Sequence, residues 1–316
     1  MTDIDQKAVN TIKALAMDAV QKANSGHPGT PMGMADLAVV LWTRYLNVDP
    51  DDPTWIDRDR FVLSNGHASM LLYSLLHLSG FGITLEDVKN FRQLESVTAG
   101  HPERHQQFGI EVTTGPLGQG FGMGVGLALA EEHLRARIGD DLINHRTYAF
   151  VSDGDLMEGI SAEAASLAGH FGLGRLLYFY DDNNISIDGS TDITFSEDVG
   201  ARFRAVGWSV GEIDGHDRGA IAEAIDEAQK EIDRPSLIIA HTHIAHGAPN
   251  AVDTAKAHGA PLGEEEVRAT KKAMGWSPDE TFVVPEDVAG FFRKSMDRGR
   301  EHHQNWLERV ERAGDR

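Results

Sequence analysis

Apolar and polar positions change period along the chain in a way that marks its elements. Val9, Ile12, Leu15, Ala16, Ala19 and Val20 form a helical stripe within Asp5–Lys22. The turn-rich Asn24-Ser25-Gly26-His27-Pro28-Gly29 ends it, and Gly33–Tyr45 reads as a mostly apolar helix. Arg60–Leu63 is a short buried strand, followed by Ser64-Asn65-Gly66-His67 and a helix through Leu78. Thr84, with Asp87 three residues on, predicts a capped short helix to Phe91. Phe121–Arg137 is a Gly/Ala-rich helix whose Gly122, Gly124, Gly126 and Ala128 permit close approach to a neighbouring backbone.

Further on, strand-like runs alternate with helical ones: Tyr148–Val151, Ile160–Phe171, Leu176–Tyr180, Ser196–Val206, Trp208–Ile213, Gly219–Ile232 and Pro235–Ala240. This β/α alternation predicts an α/β fold around a parallel sheet, with residues 1–316 forming one module. The region 241–263 is long, irregular and rich in Gly, Ala and His, the profile of a functional or mobile loop. The charged tail 286–316 reads as helical.

Two acidic segments follow neighbouring strands, Ser152-Asp153-Gly154-Asp155-Leu156-Met157-Glu158-Gly159 and Asp181-Asp182-Asn183-Asn184-Ile185-Ser186-Ile187. A strand–loop–helix–strand unit puts both at the carboxyl edge of a parallel sheet, where open α/β sheets bind ligands. Asp153 and Asn183 offer a carboxylate and an amide oxygen to one hard cation, with phosphate oxygens completing its shell. Gly154 and Gly159 let the backbone come close to a bulky anion. The combination reads as a Mg²⁺-diphosphate clamp.

Composition narrows the alternatives. A net charge of −20 disfavours nucleic acid as a main partner and fits either solubility or life at high salt. No apolar run approaches a membrane span, and the acidic Met1-Thr2-Asp3-Ile4-Asp5 lacks the features of a signal peptide. With no cysteine, the expectation is a cytoplasmic protein.

His27, His67, His101 and His258 each sit in a turn-rich segment. Together they suggest convergence on a polar pocket, since neutral imidazoles donate, accept and shuttle protons near neutral pH. The spacing does not favour a metal site made of histidines. His241, His243 and His246 form a second cluster, readable as a polar loop, and His302-His303 as a solvated helix face. Gly115–Gly120 fails the dinucleotide fingerprint, because its glycines never give the required spacing and no clear strand precedes it. It suits either backbone contact with a flat cofactor or a tight turn opening a helix. Glu158 suits the helix N-terminus that follows it.

Taken together the chain resembles the N-terminal, diphosphate-binding module of transketolase. The resemblance rests on Ser25-Gly26-His27-Pro28-Gly29, Pro31-Met32-Gly33-Met34-Ala35, Ser64-Asn65-Gly66-His67-Ala68-Ser69, Gly100-His101-Pro102-Glu103, Thr114-Gly115-Pro116-Leu117-Gly118-Gln119-Gly120, the clamp, Ile185-Ser186-Ile187-Asp188-Gly189 and His258-Gly259-Ala260-Pro261-Leu262-Gly263. It implies a three-layer thiamine-diphosphate-binding fold and transfer of a two-carbon ketol unit from a ketose to an aldose.

The same resemblance implies that Asp153, Asn183 and the carbonyl of Ile185 hold Mg²⁺, or Ca²⁺ or Mn²⁺ in its place. Gly154 and His67 would contact the diphosphate, Gly115, Pro116 and Leu117 the aminopyrimidine side, and Ile187 the thiazolium; Asp155, Asn183 and His258 join the cofactor contacts. His27, His67, His101 and His258 would line the substrate channel, and Glu158 would be a buried carboxylate in a relay at a subunit interface. The family's second, pyrimidine-binding module has no counterpart here. The expectation is therefore a split enzyme, a heterotetramer with a separate pyrimidine-binding subunit, acting on sugars or sugar phosphates. The alternatives are a piece cut from a longer enzyme, a subunit of another split thiamine diphosphate enzyme (a carboligase or keto-acid decarboxylase), and a non-catalytic cofactor-binding module. Ser152, Asn184 and His241 depart from the family pattern, His241 standing where a lysine is usual.

Overall fold

The computed structural model describes residues 4–314, so Met1-Thr2-Asp3 and the last two residues of the expected tail, Asp315 and Arg316, lie outside the described residues. The chain runs α1 (Ile4–Ala23), α2 (Gly29–Gly33), α3 (Ala35–Val40), a π-helical turn (Leu41–Tyr45), β1 (Arg60–Leu63), α4 (Ser69–Ser79), α5 (Leu85–Lys89), α6 (Gln119–Ile138) and β2 (Thr147–Ser152). It continues α7 (Asp153–Met157), α8 (Gly159–Phe171), β3 (Leu176–Asp182), a small hairpin β4 (Ile185–Ser186) and β5 (Gly189–Ser190), α9 (Val199–Ala205), β6 (Ser209–Asp214) and α10 (Arg218–Lys230). Last come β7 (Ser236–His241), α11 (Lys256–Gly259), α12 (Glu264–Ala273), α13 (Glu286–Ser295) and α14 (Asp297–Ala313).

Five strands form one sheet in the order β1-β2-β3-β7-β6, every pair parallel. The central strands are apolar on both faces because helices cover both. Tyr148, Phe150, Leu177, Phe179, Ile238 and Ala240 face the layer containing α1, α3, α4 and α13. Ala149, Val151, Leu176, Tyr178, Leu237 and Ile239 face the layer of α6, α8 and α9. This is the expected three-layer α/β architecture, and each buried ring contributes roughly 1.5–3 kcal/mol. The close approach expected of α6 occurs in part. Tyr178 on β3 reaches past Gly124 to donate its hydroxyl proton to the Phe121 carbonyl at 2.6 Å, whereas Gly122 meets only the Ile160 side chain and Gly126 has no neighbour within 4 Å. The backbone that comes close is that of Ser64, which a Cβ at Gly120 would overlap.

Several elements differ from the expectation. The single helix over Gly33–Tyr45 is broken at Met34 and ends in the π turn. Arg298 on α14 takes up carbonyls left at that turn's end, donating to Thr43 at 3.1 Å and Leu46 at 2.7 Å. The region 241–263 is packed rather than loose: Ala245, Ala248, Ala257 and Leu262 are buried with Met17 and Met32. The tail is two helices, and His303 is no solvated residue. It stacks on Trp55 at 4.9 Å and bonds Asp49 at 2.8 Å. α7 occupies what the sequence suggests is open loop, because Ser152 and Asp155 form a reciprocal cap at its start.

Candidate functional site

At the carboxyl edge of the sheet lies a cleft of about 500 Å³ lined by His27, His67, His101, Gly115, Leu117, Asp153, Gly154, Asn183, Ile185, Ile187 and His258, together with Thr30, Ser152, Met157 and Ile193. Nearly every residue singled out from the sequence is thus brought to one place. Parallel pairing explains the acidic half: Ser152 at the end of β2 is opposite Asp181 near the end of β3, so the segments that follow leave the sheet side by side.

Asp153 is buried, and its carboxylate accepts the hydroxyl proton of Tyr180. Burial, and after it the negative neighbours Asp181 and Asp182, raise its pKa to about 7 against that hydrogen bond. A divalent cation reverses this balance, since its charge favours the ionised form. Asn183 donates to Asp181 at 2.8 Å and accepts from the Ile185 amide at 3.0 Å, which fixes the side-chain oxygen and brings Ile185 into the same turn. Asn184 adopts φ +61°, a left-handed conformation that asparagine tolerates.

The glycines are where space is shortest. A Cβ at Gly154 would lie 2.7 Å from Leu117 Cδ1. Gly115 has φ +144°, with the His101 ring 3.2 Å from where its Cβ would be. No side chain fits either position without moving the neighbour.

The histidines form a tight group. Ring centroids lie 5.2 Å apart for His27 and His67, 5.0 Å for His67 and His258, 5.8 Å for His27 and His258, and 6.3 Å for His27 and His101. Among the described residues nothing hydrogen-bonds the buried Nε2 of His67 or Nδ1 of His258. Burial, and then the His258 and Arg92 charges, lower His27 to about 4; burial likewise lowers His67, His101 and His258. All four are neutral near pH 7, able to give or take a proton without carrying charge into the cleft. Buried imidazole nitrogens that no protein group satisfies are suited to a polar ligand.

Two expected cofactor contacts and one expected catalytic residue sit differently. Asp155 is wholly buried, and its carboxylate is engaged by Ser64 Oγ at 2.7 Å, the Gly118 amide at 2.8 Å and the Ser152 amide at 3.0 Å. It ties three loops together beneath the cleft. Pro116 lies outside the lining, between Gly115 and Leu117. Glu158 is the residue before α8, as expected, yet it is exposed within this chain rather than buried.

Arg92 and Tyr180 escaped the sequence reading. Arg92, at φ +61°, donates to Ser25 Oγ at 2.8 Å and lies 3.3 Å from His27 Nδ1, so it orients that imidazole. A lone Arg in a loop carries no motif, and Tyr180 reads only as strand.

Residues 4–315 match the family described as transketolase, thiamine diphosphate binding domain. The chain belongs to the transketolase family. The transketolase of Halalkalibacterium halodurans is 52% identical over 309 residues, covering 96% of this chain and 46% of that protein. Transketolase 2 of Escherichia coli is 55% identical over 304 residues, covering 95% and 45% respectively. Among solved structures, the transketolase from Campylobacter jejuni superposes with a TM-score of 0.95 at 47% identity, covering 98% of this chain and 49% of that one. A Pichia stipitis transketolase in complex with sedoheptulose-7-phosphate gives 0.95 at 48% identity, covering 98% and 46%. The chain spans about half the length of the transketolases it matches. Among the described residues no helix is long and apolar enough to cross a membrane.

Proposed function

We propose that this chain is the cation- and diphosphate-holding part of a cytoplasmic transketolase-type transferase, moving a two-carbon ketol unit from a ketose to an aldose. The observation that carries the reading is the meeting, in one cleft, of the Asp153–Asn183 strand ends with four uncharged histidines. The donor set is the right one for Mg²⁺ with phosphate oxygens: a carboxylate, an amide oxygen and the Ile185 carbonyl, all hard oxygens.

Thiamine diphosphate, when bound, supplies a carbon nucleophile and an electron sink. The chain's own residues then divide the remaining work. Asp153, Asn183 and Ile185 hold the cation; the Gly154 backbone and His67 face the diphosphate, a role that the unpartnered Nε2 of His67 suits. Leu117 and Gly115 offer a flat wall, and Ile187, 68% exposed, an apolar face for the ring system. His27, His101 and His258 hydrogen-bond the sugar's hydroxyls and carry protons to and from its developing alkoxide. Arg92 keeps His27 aimed.

The remaining groups are proposed to come from a separate pyrimidine-binding subunit, in a dimer of heterodimers. Around the cleft and along α8, Met157, Ile160, Leu167, Phe171 and Ile193 are exposed large apolar residues, a surface suited to burial against other polypeptides. Glu158 lies within this surface and would be covered with it.

The test is to combine the chain with candidate pyrimidine-module subunits, thiamine diphosphate and Mg²⁺, and to assay glycolaldehyde-unit transfer among phosphorylated and unphosphorylated ketoses. Transfer by the mixture alone is expected. Activity of the isolated chain would overturn the two-subunit reading.

A further inference from the structure

Two histidines of the 241–263 region, His243 and His246, meet a third outside the cleft, while His241 instead bonds Asp182 at 2.9 Å. His216, in the turn after β6, has its ring 3.7 Å from that of His246 and 5.7 Å from that of His243. Lys13 on α1 lies 3.2 Å from His246 Nδ1. Asp36 on α3 accepts from Arg218 on α10 at 2.7 Å and stands 3.6 Å from His216 Nδ1. His243 bonds Asp253 at 2.9 Å.

Ligand atoms of Asp36, His216 and His246 lie within 4.8 Å of one another, a spacing that invites a metal. The protonation pattern argues otherwise. The His243 amide donates to His216 Nε2 at 3.1 Å, so the neutral ring carries its proton on Nδ1, the atom turned toward Asp36. Lys13 and Arg218 also place two cations at the same group, which disfavours adding a divalent ion.

We propose instead that His246 and His216 are positioning residues that latch the 241–263 segment onto α1 and α3 and so hold His258 in the cleft. The proposal rests on the reading of His258 as a functional residue given above.

The packing behind the latch shows why it reaches the site. The Ala245 amide donates to the Gly29 carbonyl at 3.0 Å, two residues beyond His27. A Cβ at Gly29 would meet Ile244 Cγ1 at 2.5 Å and the Ala257 carbonyl at 2.6 Å, and one at Gly33 would meet the His243 carbonyl at 2.9 Å. One segment therefore fixes both the loop bearing His27 and the short helix bearing His258. Ala245 at φ +53° and Asp253 at φ +58° hold left-handed conformations that surrounding contacts must impose.

A neutral latch is sensitive to acid. Burial, and then Lys13 and His216, lower His246 to about 4, with Asp36 opposing and His243 adding to the effect. Arg218, Asp253, Asp214, which accepts the His216 amide at 2.9 Å, and Asp181 are the other charged groups beside the cluster. A released His246 has the ordinary pKa near 6.5, so the released form takes up its proton first as pH falls. Seating is complete above about pH 6.5 and weakens about tenfold per pH unit toward 4.

The test is amide hydrogen exchange of 241–263 in the full chain at about pH 7.5 and about pH 5, corrected for the intrinsic rates. His246→Asn keeps an acceptor at the Nδ1 position and cannot be protonated there; His246→Ala removes the acceptor. The parent is expected to lose protection about tenfold or more between the two conditions. The Asn variant should hold its protection in acid, and the Ala variant should exchange fast at both. Protection in the parent that does not respond to pH, or an Asn variant with the parent's full acid loss, overturns the latch. In the assembled enzyme, His246→Asn should flatten the acid limb of turnover. Exchange needs no catalysis: expected exchange without ketol transfer in any mixture supports the latch and counts against the functional reading alone.

Discussion

The two edges of the central sheet handle carboxylates in opposite ways. At the amino edge, Asp59 accepts the amides of Asn47 at 2.8 Å and Arg146 at 2.7 Å, and Asp57 accepts that of Asn144 at 2.6 Å. Beside them Arg58 grips Glu111 through paired bonds of 2.9 and 2.8 Å. At the carboxyl edge, Asp153, Asp181 and Asp182 crowd one another, and their partners are a tyrosine, a threonine, an amide and an imidazole. Among the described residues no Lys or Arg pairs with them. Burial raises Asp59 as well, against its two amide bonds, but at the carboxyl edge the acidic neighbours add to burial and raise Asp153 to about 7 and Asp181 to about 6. Acids that close on the chain's own donors stabilise it; acids that repel each other in a cleft are suited to holding a cation.

That contrast can be broken by substitution. Asp153→Ala should reduce cation-dependent retention of thiamine diphosphate by roughly 1000-fold, read by calorimetry, while the fold survives. At the other edge, Asp59→Ala should cost roughly 3 kcal/mol in denaturant unfolding by stranding two buried amides, and leave cation affinity of the folded fraction unchanged. If the two substitutions had the same profile, the distinction between the edges would fail. Between these classes, His258→Ala should spare retention and lower turnover of the assembled enzyme roughly 100-fold.

Acidity sharpens the comparison further. A proton on Asp153 competes with the cation, so cation affinity should fall about tenfold per pH unit below 7 and level off above it. In cation-free protein the sign is reversed for stability. The raised group favours the fold below about pH 4, and that contribution is lost as pH rises through about 7. Added Mg²⁺ should therefore raise Tm more at pH 7.5 than at pH 5.5. The smallest effect is expected from Tyr180→Phe, about 1 kcal/mol in cation binding, through loss of one hydrogen bond to Asp153.

The periodic part of the fold was legible because burial writes itself into sequence. Arg60–Leu63 coincides with β1, while β2, β3, β6 and β7 each extend one or two residues further at the carboxyl end than their apolar runs. Those extra residues, Ser152, Asp181, Asp182, Asp214 and His241, are polar: the backbone ladder continues where the side chains turn to other work. α7 escaped notice because a one-turn helix held by a Ser152–Asp155 cap has no room for a stripe. In the site, glycine-flanked histidines and the paired acidic segments stood out by composition and order. Arg92, Tyr180 and the buried role of Asp155 depend on contacts between segments far apart in the chain, which no local pattern encodes. The region 241–263 looked loose because its core of Ala245, Ala248 and Ala257 is made of residues too small to mark burial.

The most direct test is anomalous diffraction from crystals of the chain grown with Mn²⁺ and thiamine diphosphate. The proposed clamp requires a single strong peak bounded by the Asp153 carboxylate, the Asn183 side-chain oxygen and the Ile185 carbonyl, at the mouth of the histidine-lined cleft. A Mn²⁺ peak anywhere else, with the diphosphate held away from Asp153 and Asn183, would contradict it.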